Sequence, residues 1–144
     1  MTSYWLRQAT ALDLAAVRNL TRRVGRELQL GIRVPSGREG ELIWVVEAGR
    51  GEIVGCCGIA ERADGRWEVS TLTLAPEWRG LGLGRALLAN AVAVARSEGA
   101  VHLALSVPVD SPAVETLARA LGFREEPGGR GNTRRLALRL SGPS

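Results

Sequence analysis

The sequence predicts one mixed α/β (α+β) domain with the element order β-α-loop-β-β-β-α-β-α-β. Three observations predict it. Short segments rich in β-branched and aromatic residues alternate with segments whose apolar residues recur at helical spacing. The three middle strand segments follow one another through short turns, as in a meander. The second half then changes period at Pro76 and alternates helix with strand. A chain of 144 residues suits a single domain, residues 1–144, around one core.

Tyr4 to Gln8 reads as a short strand. Thr10-Ala11-Leu12-Asp13 has the form of a capping box, with Thr10 as N-cap and Asp13 in the first turn. Leu14, Val17, Thr21, Val24 and Leu28 continue it as an amphipathic helix. Pro35, Ser36, Gly37 and Gly40 mark Gly31 to Gly40 as a loop. Leu42 to Ala48 and Glu52 to Ala60 form a hairpin about Gly49-Arg50-Gly51, and Trp67 to Leu74 adds a third strand after the turn Ala63-Asp64-Gly65. Leu83 to Glu98 reads as a long Ala-rich helix stopped by Gly99. Val101 to Val107 is a strand, Ser111 to Leu121 is a helix capped by Gly122, and Phe123 begins an extended segment. After a turn over Gly128 to Gly131, Leu136, Leu138 and Leu140 alternate with Arg135, Ala137 and Arg139, the pattern of a half-buried strand.

The composition, 45% hydrophobic and 24% charged, is that of an ordinary globular domain. No apolar run approaches the roughly 18 residues of a membrane span. Met1 to Arg7 lacks the basic flank, apolar run and cleavage site of a secretion signal. Cys56 and Cys57 are neighbours on a strand and point to opposite faces, which disfavours a mutual disulfide. Their apolar surroundings read as core packing, and no paired base is visible for a nucleophilic role. Without a CxxC or a Cys/His cluster, and with His102 as the sole histidine, no metal site is expected. These features favour a reducing, cytoplasmic setting. The formal charge is +4 and every basic residue is arginine, which fits either a coding bias or a basic surface for an anionic partner. The arginines are scattered, so neither nucleic acid nor a membrane is an expected partner.

The most informative stretch runs from Thr71 to Arg85. A strand ends, Pro76 turns the chain, and Gly80, Gly82 and Gly84 lead into a helix. Backbone N–H groups at a helix N-terminus are unpaired and lie at the positive end of the dipole. Glycines let an anion approach them closely, and Arg79 and Arg85 add formal charge, so a pyrophosphate is the expected occupant. A Walker A loop would need Gly-Lys-Ser/Thr, and the chain contains no lysine. The dinucleotide fingerprint would place Arg85 or Leu87 at its third glycine.

Arg79-x-x-Gly82-x-Gly84 resembles the Arg/Gln-x-x-Gly-x-Gly/Ala signature of the GNAT superfamily of N-acetyltransferases. Leu72-Thr73-Leu74-Ala75-Pro76-Glu77-Trp78 looks like that family's strand and approach to the loop, and Leu117 to Phe123 resembles its closing helix ending in Leu-Gly-Phe. The resemblance covers nearly the whole chain. It implies a mixed, mostly antiparallel central sheet flanked by helices and splayed between strands 4 and 5. By the same resemblance, the backbone of Leu72, Thr73 and Leu74 holds the pantetheine arm of acetyl-coenzyme A. Arg79, Gly80, Leu81, Gly82, Leu83, Gly84 and Arg85 cradle its pyrophosphate, and Ser111, or Asp110, falls where the family often has a coenzyme-contacting Asn. The partners implied are acetyl-CoA, an unidentified amine acceptor and, by analogy alone, a second copy in a homodimer.

The chemistry can be argued from the reactants. An alkyl amine with a pKa of about 10.4 must lose a proton before it attacks a thioester. Glu68 aligns with a general-base Glu of several GNAT members, with an ordinary surface carboxylate as the alternative; Ser70 is a candidate to hold an intervening water. At the position of the family's acid tyrosine stands Ala118, and the only tyrosine, Tyr4, lies on the first strand. A thiol leaving group with a pKa of about 8.5 departs with little protonation, so an active enzyme using water or a substrate group as acid is expected. The alternative function is a GNAT-fold acyl-CoA sensor or assembly module without turnover. His102 and the tryptophans Trp44, Trp67 and Trp78 read as structural, although one tryptophan could line an acceptor pocket.

Overall fold

The computed structural model describes residues 3–28, 40–110 and 112–140. The loop expected over Gly31 to Gly40, apart from Gly40 itself, and Ser111 lie outside the described residues. The elements are β1 (Tyr4–Gln8), α1 (Leu14–Leu28), β2 (Glu41–Ala48), β3 (Glu52–Ala63), β4 (Arg66–Leu74), α2 (Leu83–Ser97), β5 (His102–Pro108), α3 (Pro112–Ala120), β6 (Arg124–Glu126) and β7 (Thr133–Arg139). They build one sheet of order β1-β2-β3-β4-β5-β7-β6, parallel only at β4–β5.

The expected order holds, with differences at the edges. A one-turn 3-10 helix, Ala11–Asp13, leads into α1, and the Asp13 carboxylate accepts the Thr10 N–H at 2.7 Å. The same carboxylate accepts two N–H bonds from Arg7, whose Nη2 also reaches Glu47, so the start of the helix is tied to β1 and β2. β3 runs on to Ala63, beyond the expected Ala60, because the hairpin to β4 keeps pairing (Ala63↔Arg66) until Gly65 turns the chain at φ +71°. The extended segment after Phe123 is the short β6.

α1 and α2 both pack on β3 and β4. Val17, Leu20, Thr21 and Val24 of α1 are buried, and the Thr21 hydroxyl donates to Val17 O at 2.7 Å, which removes the cost of burying it. α2 buries Leu83, Leu87, Leu88, Ala91 and Ala95 at the predicted helical spacing. α3 packs on α2 and β5. Cys56 and Cys57 are both buried and free, as expected.

Two irregularities position the site. β4 pairs with β5 only at Arg66↔His102, Trp67↔Leu103 and Glu68↔Ala104, although both strands continue. β5 stays bonded to β7 along its whole length while β4 follows β3, so the two part beyond Glu68. The implied splay is therefore present. The second irregularity is a β-bulge: Val69 pairs with Ile59 and Thr71 with the adjacent Gly58, leaving Ser70 unpaired between them. An extra residue bends a strand and increases its twist, so the bulge falls where β4 must leave β5.

Candidate active site

The glycine turn is built as its sequence suggests, with one difference. Gly80 and Gly82 both have φ +80°, a conformation that penalises any side chain, and a Cβ at either would meet nothing within 4 Å. Both face open space. Gly84 has no positive φ, and a Cβ there would stand 3.2 Å from Leu117 Cδ1, so this glycine serves the close packing of α2 on α3 rather than access for an anion. Gly82 is the N-cap of α2, and the first intrahelical bond is Ala86 N–H to Gly82 O at 3.1 Å. The N–H groups of Leu83, Gly84 and Arg85 therefore have no carbonyl behind them within the helix. Arg85 is exposed beside them, and Leu81 is exposed at the tip of the turn. Arg79 does not reach outward: its Nε and Nη2 donate to Leu74 O at 3.2 and 3.1 Å and close the turn onto the end of β4.

The open edge of β4 follows from hydrogen-bond alternation. Ala75 N–H donates to Val54 O at 2.8 Å, so in an antiparallel ladder Ala75, Thr73 and Thr71 turn their polar backbone groups toward β3. Leu72 and Leu74 turn theirs the other way, into the gap that β5 has left. Arg79 takes the Leu74 carbonyl. Thr73, grouped with these two from the sequence, is an exception: its backbone faces β3, and its buried hydroxyl shares a bond with that of Thr71 at 3.2 Å.

Glu68 stands at the last paired rung, where the strands part. Its carboxylate lies 3.7 Å from Arg62 Nε, a loose ion pair, and its side chain is about a quarter exposed. The pairings Glu68↔Ala104 and Ser106↔Arg135, with the period-2 alternation of β5 and β7, bring Glu68, Ser106, Arg135 and Thr133 to one face. There Glu68, Ser106, Gly128, Arg130, Thr133 and Arg135 line a cleft of about 410 Å3.

Ser70 projects at the bulge, and its hydroxyl is buried with no hydrogen-bond partner among the described residues. Room for it comes from Gly58, where a Cβ would stand 2.7 Å from Ser70 Oγ and 3.6 Å from Glu41 Oε2. Glu41 is a carboxylate that sequence reasoning missed. Glu41 and Glu68 pair with the same residue, Ala60, from either side, which places both on one face. The only signal was its position just after Gly40 at the start of a strand.

The remaining candidates are structural in their contacts. His102 Nε2 lies 3.1 Å from Glu126 Oε2, and Arg135 Nε donates to Glu126 Oε1 at 2.8 Å. Burial opposes the charge on Glu126, but the bonds from His102 and Arg135 outweigh it and hold the carboxyl below its ordinary range. Burial pushes the Cys56 thiol up to about 12 and raises that of Cys57 as well, so neither is a poised nucleophile. Ala118 is fully buried against the core and offers no proton. Tyr4 packs edge-on to Trp78, with ring centroids 5.9 Å apart. Among the described residues, no group of three or more His, Cys, Asp or Glu side chains could hold a metal, and no helix is long and apolar enough to cross a membrane.

A splayed parallel pair, a bulge at the parting point and a glycine turn at a helix N-terminus define the architecture of an acyltransferase fold. The model of the acetyltransferase (GNAT) family matches residues 12–123, and the chain belongs to that family. No curated protein matches its sequence. Among solved structures it is similar to the ribosomal-protein-S18-alanine N-acetyltransferase of Escherichia coli, with TM-score 0.79 and 20% identity, covering 99% of this chain and 97% of that one. It is also similar to a GNAT-superfamily phosphinothricin acetyltransferase from Sinorhizobium meliloti in complex with acetyl-CoA (TM-score 0.77, 23% identity, 95% of this chain and 88% of that one). A third is the spermidine N-acetyltransferase of Vibrio cholerae, in complex with CoA and spermine (TM-score 0.73, 22% identity, 95% of each chain).

Proposed function

We propose that the chain transfers the acetyl group of acetyl-CoA to a primary amine of a small molecule or peptide by direct attack within a ternary complex. The observation that carries this reading is the coincidence of two vacancies in backbone hydrogen bonding among the described residues: the N–H groups of Leu83, Gly84 and Arg85, and the edge of β4 at Leu72 and the Leu74 N–H. The first suits a diphosphate, which is doubly charged and accepts several N–H bonds. The second suits an extended arm that bonds like a strand, as pantetheine does through its amides. Arg85 adds charge at the first, while Arg79 fixes the turn that joins the two.

The coenzyme supplies the activated acyl group. The protein supplies position, a polarising N–H and a route for one proton. In this reading the outward N–H of Leu72 or Leu74 is aimed at the thioester carbonyl oxygen, where negative charge develops during attack. Glu68, at the mouth of the splay, takes the proton of the incoming ammonium directly or through a water held near the Ser70 hydroxyl. Arg62 yields its loose hold on Glu68 to the substrate cation. With Ala118 buried and lacking a hydroxyl, the thiolate leaves with a proton from water or substrate.

The test is thiol release from acetyl-CoA across a panel of amines, amino acids and peptide N-termini, with Glu68→Gln beside the native protein. Turnover with any acceptor, reduced about 10²–10⁴-fold in Glu68→Gln at unchanged coenzyme affinity, is the expected result. Tight coenzyme binding without turnover across the panel would replace this reading with that of an acyl-CoA-binding module.

A further inference from the structure

The cleft beyond Glu68 has an uneven charge pattern. Glu68 lines it from β4, Arg130, Thr133 and Arg135 from β7 and the turn before it, and Ser106 from β5 between the two. We infer that the acceptor is a small zwitterion: an amine that also carries a carboxylate or other oxyanion, its ammonium toward Glu68 and its anion toward the two guanidinium groups. The inference rests on the proposal that this cleft receives the acceptor.

The two arginines are placed by different devices. Arg135 is oriented before any ligand arrives, because Glu126 holds its Nε and is itself held by His102. Space for its stem exists because Gly128 has no side chain; a Cβ there would come within 3.2 Å of Arg135 Cδ. Arg130 sits on the turn between β6 and β7, which is fastened at both ends of the residue. The Thr133 hydroxyl accepts the Arg130 N–H at 3.1 Å and donates to the Arg130 carbonyl at 2.6 Å. Gly129 permits this closeness, since a Cβ there would lie 2.6 Å from Thr133 O. The Arg130 side chain is exposed and makes no ion pair among the described residues. Its turn is therefore ordered by the backbone while its charge stays uncommitted.

The pattern also excludes. A polyamine that placed one ammonium at Glu68 would bring further positive charge toward Arg130 and Arg135, where like charges repel in a partly desolvated cleft. An amine without an anionic group would leave Arg130 without an anion, Arg135 already having Glu126, and would gain nothing from it. An amino acid offers one charge of each sign, and a bidentate carboxylate suits the planar arginine fork.

Matched probes test this: glycine, L-alanine, L-methionine and L-glutamate, each against its α-carboxamide, with spermidine as the cationic control. Thiol release supplies kcat/KM, and calorimetry on the protein saturated with coenzyme A supplies acceptor affinity. At least one acid should exceed its amide by about tenfold or more, the worth of one charge-assisted hydrogen bond. In Arg130→Gln the ratio should shrink to within about threefold while coenzyme affinity and Tm stay unchanged, the side chain being exposed. Amides or spermidine turned over as well as the acids would overturn the inference and leave acetyl transfer standing. If no probe is turned over, acetyl transfer to these acceptors fails and calorimetry decides the inference alone. Acid binding that is lost in Arg130→Gln sustains it; equal or absent binding of acid and amide overturns it.

Discussion

Gly82 and Gly99 stand at opposite ends of α2 and make a matched pair of perturbations. Gly82 has φ +80° and Gly99 φ +87°, and at neither would a Cβ meet any atom within 4 Å. Valine at either position therefore brings the same backbone penalty and no clash. A left-handed conformation costs a side chain about 1–2 kcal/mol, and more when it is β-branched. For a domain of this size that lowers Tm by about 3–8 °C, and the two variants should fall together. Their coenzyme affinities should not. Valine at Gly82 stands over the N–H groups of Leu83, Gly84 and Arg85 and displaces one or two charge-assisted bonds of about 1.5–3 kcal/mol each, weakening acetyl-CoA roughly 10-fold or more. Gly99→Val, about a helix length away, should bind within about twofold of native. Thermal unfolding by circular dichroism and calorimetric titration with acetyl-CoA read the two quantities. Native affinity in Gly82→Val, or an equal loss in Gly99→Val, would refute the reasoning that the turn is an anion seat.

Three further outcomes follow from the same geometry. Gly58→Ala should force the Ser70 hydroxyl out of its rotamer at a cost of about 0.5–1.5 kcal/mol, and a double-mutant cycle with Ser70→Ala should recover most of that loss; additivity would show the two sites do not touch. The bonds from Arg7 hold Asp13 well below the usual carboxylate range, so its contribution is complete above the ordinary carboxylate pKa of about 4 and is lost as pH falls through and below it. Asp13→Asn should therefore cost about 1 kcal/mol at pH 7 and nothing at the acid end, measured by urea unfolding at each pH. A thiol reagent at pH 8 should label neither Cys56 nor Cys57 in the native protein and both in urea, because burial raises both thiols; rapid native labelling would contradict their place in the core.

What the sequence made legible was whatever local chemistry encodes. The glycine turn could be read because unpaired N–H groups at a helix start, flanked by a strand and Pro76, have one familiar use. The helices and β7 could be read because their apolar residues keep a single period over two turns or more. The bulge at Ser70 could not, since a one-residue slip against β3 changes no composition and leaves Trp67 to Leu74 looking like an unbroken strand. Gly84 looked like its two neighbours, and only the approach of Leu117 from α3 separates its role from theirs. Thr73 looked like part of a contacting edge, but which residues face a gap depends on pairing parity, which one bulge resets. Arg130 and Arg135 were read as turn and strand; that they share a cleft with Glu68 depends on β7 lying beside β5, a pairing between segments far apart in sequence.

The account depends most directly on where a diphosphate settles. A crystal structure with saturating acetyl-CoA should show phosphate oxygens at about 2.7–3.2 Å from the N–H groups of Leu83, Gly84 and Arg85, with the arm running along Leu72 and Leu74. Coenzyme bound elsewhere while this turn stays bare would contradict it.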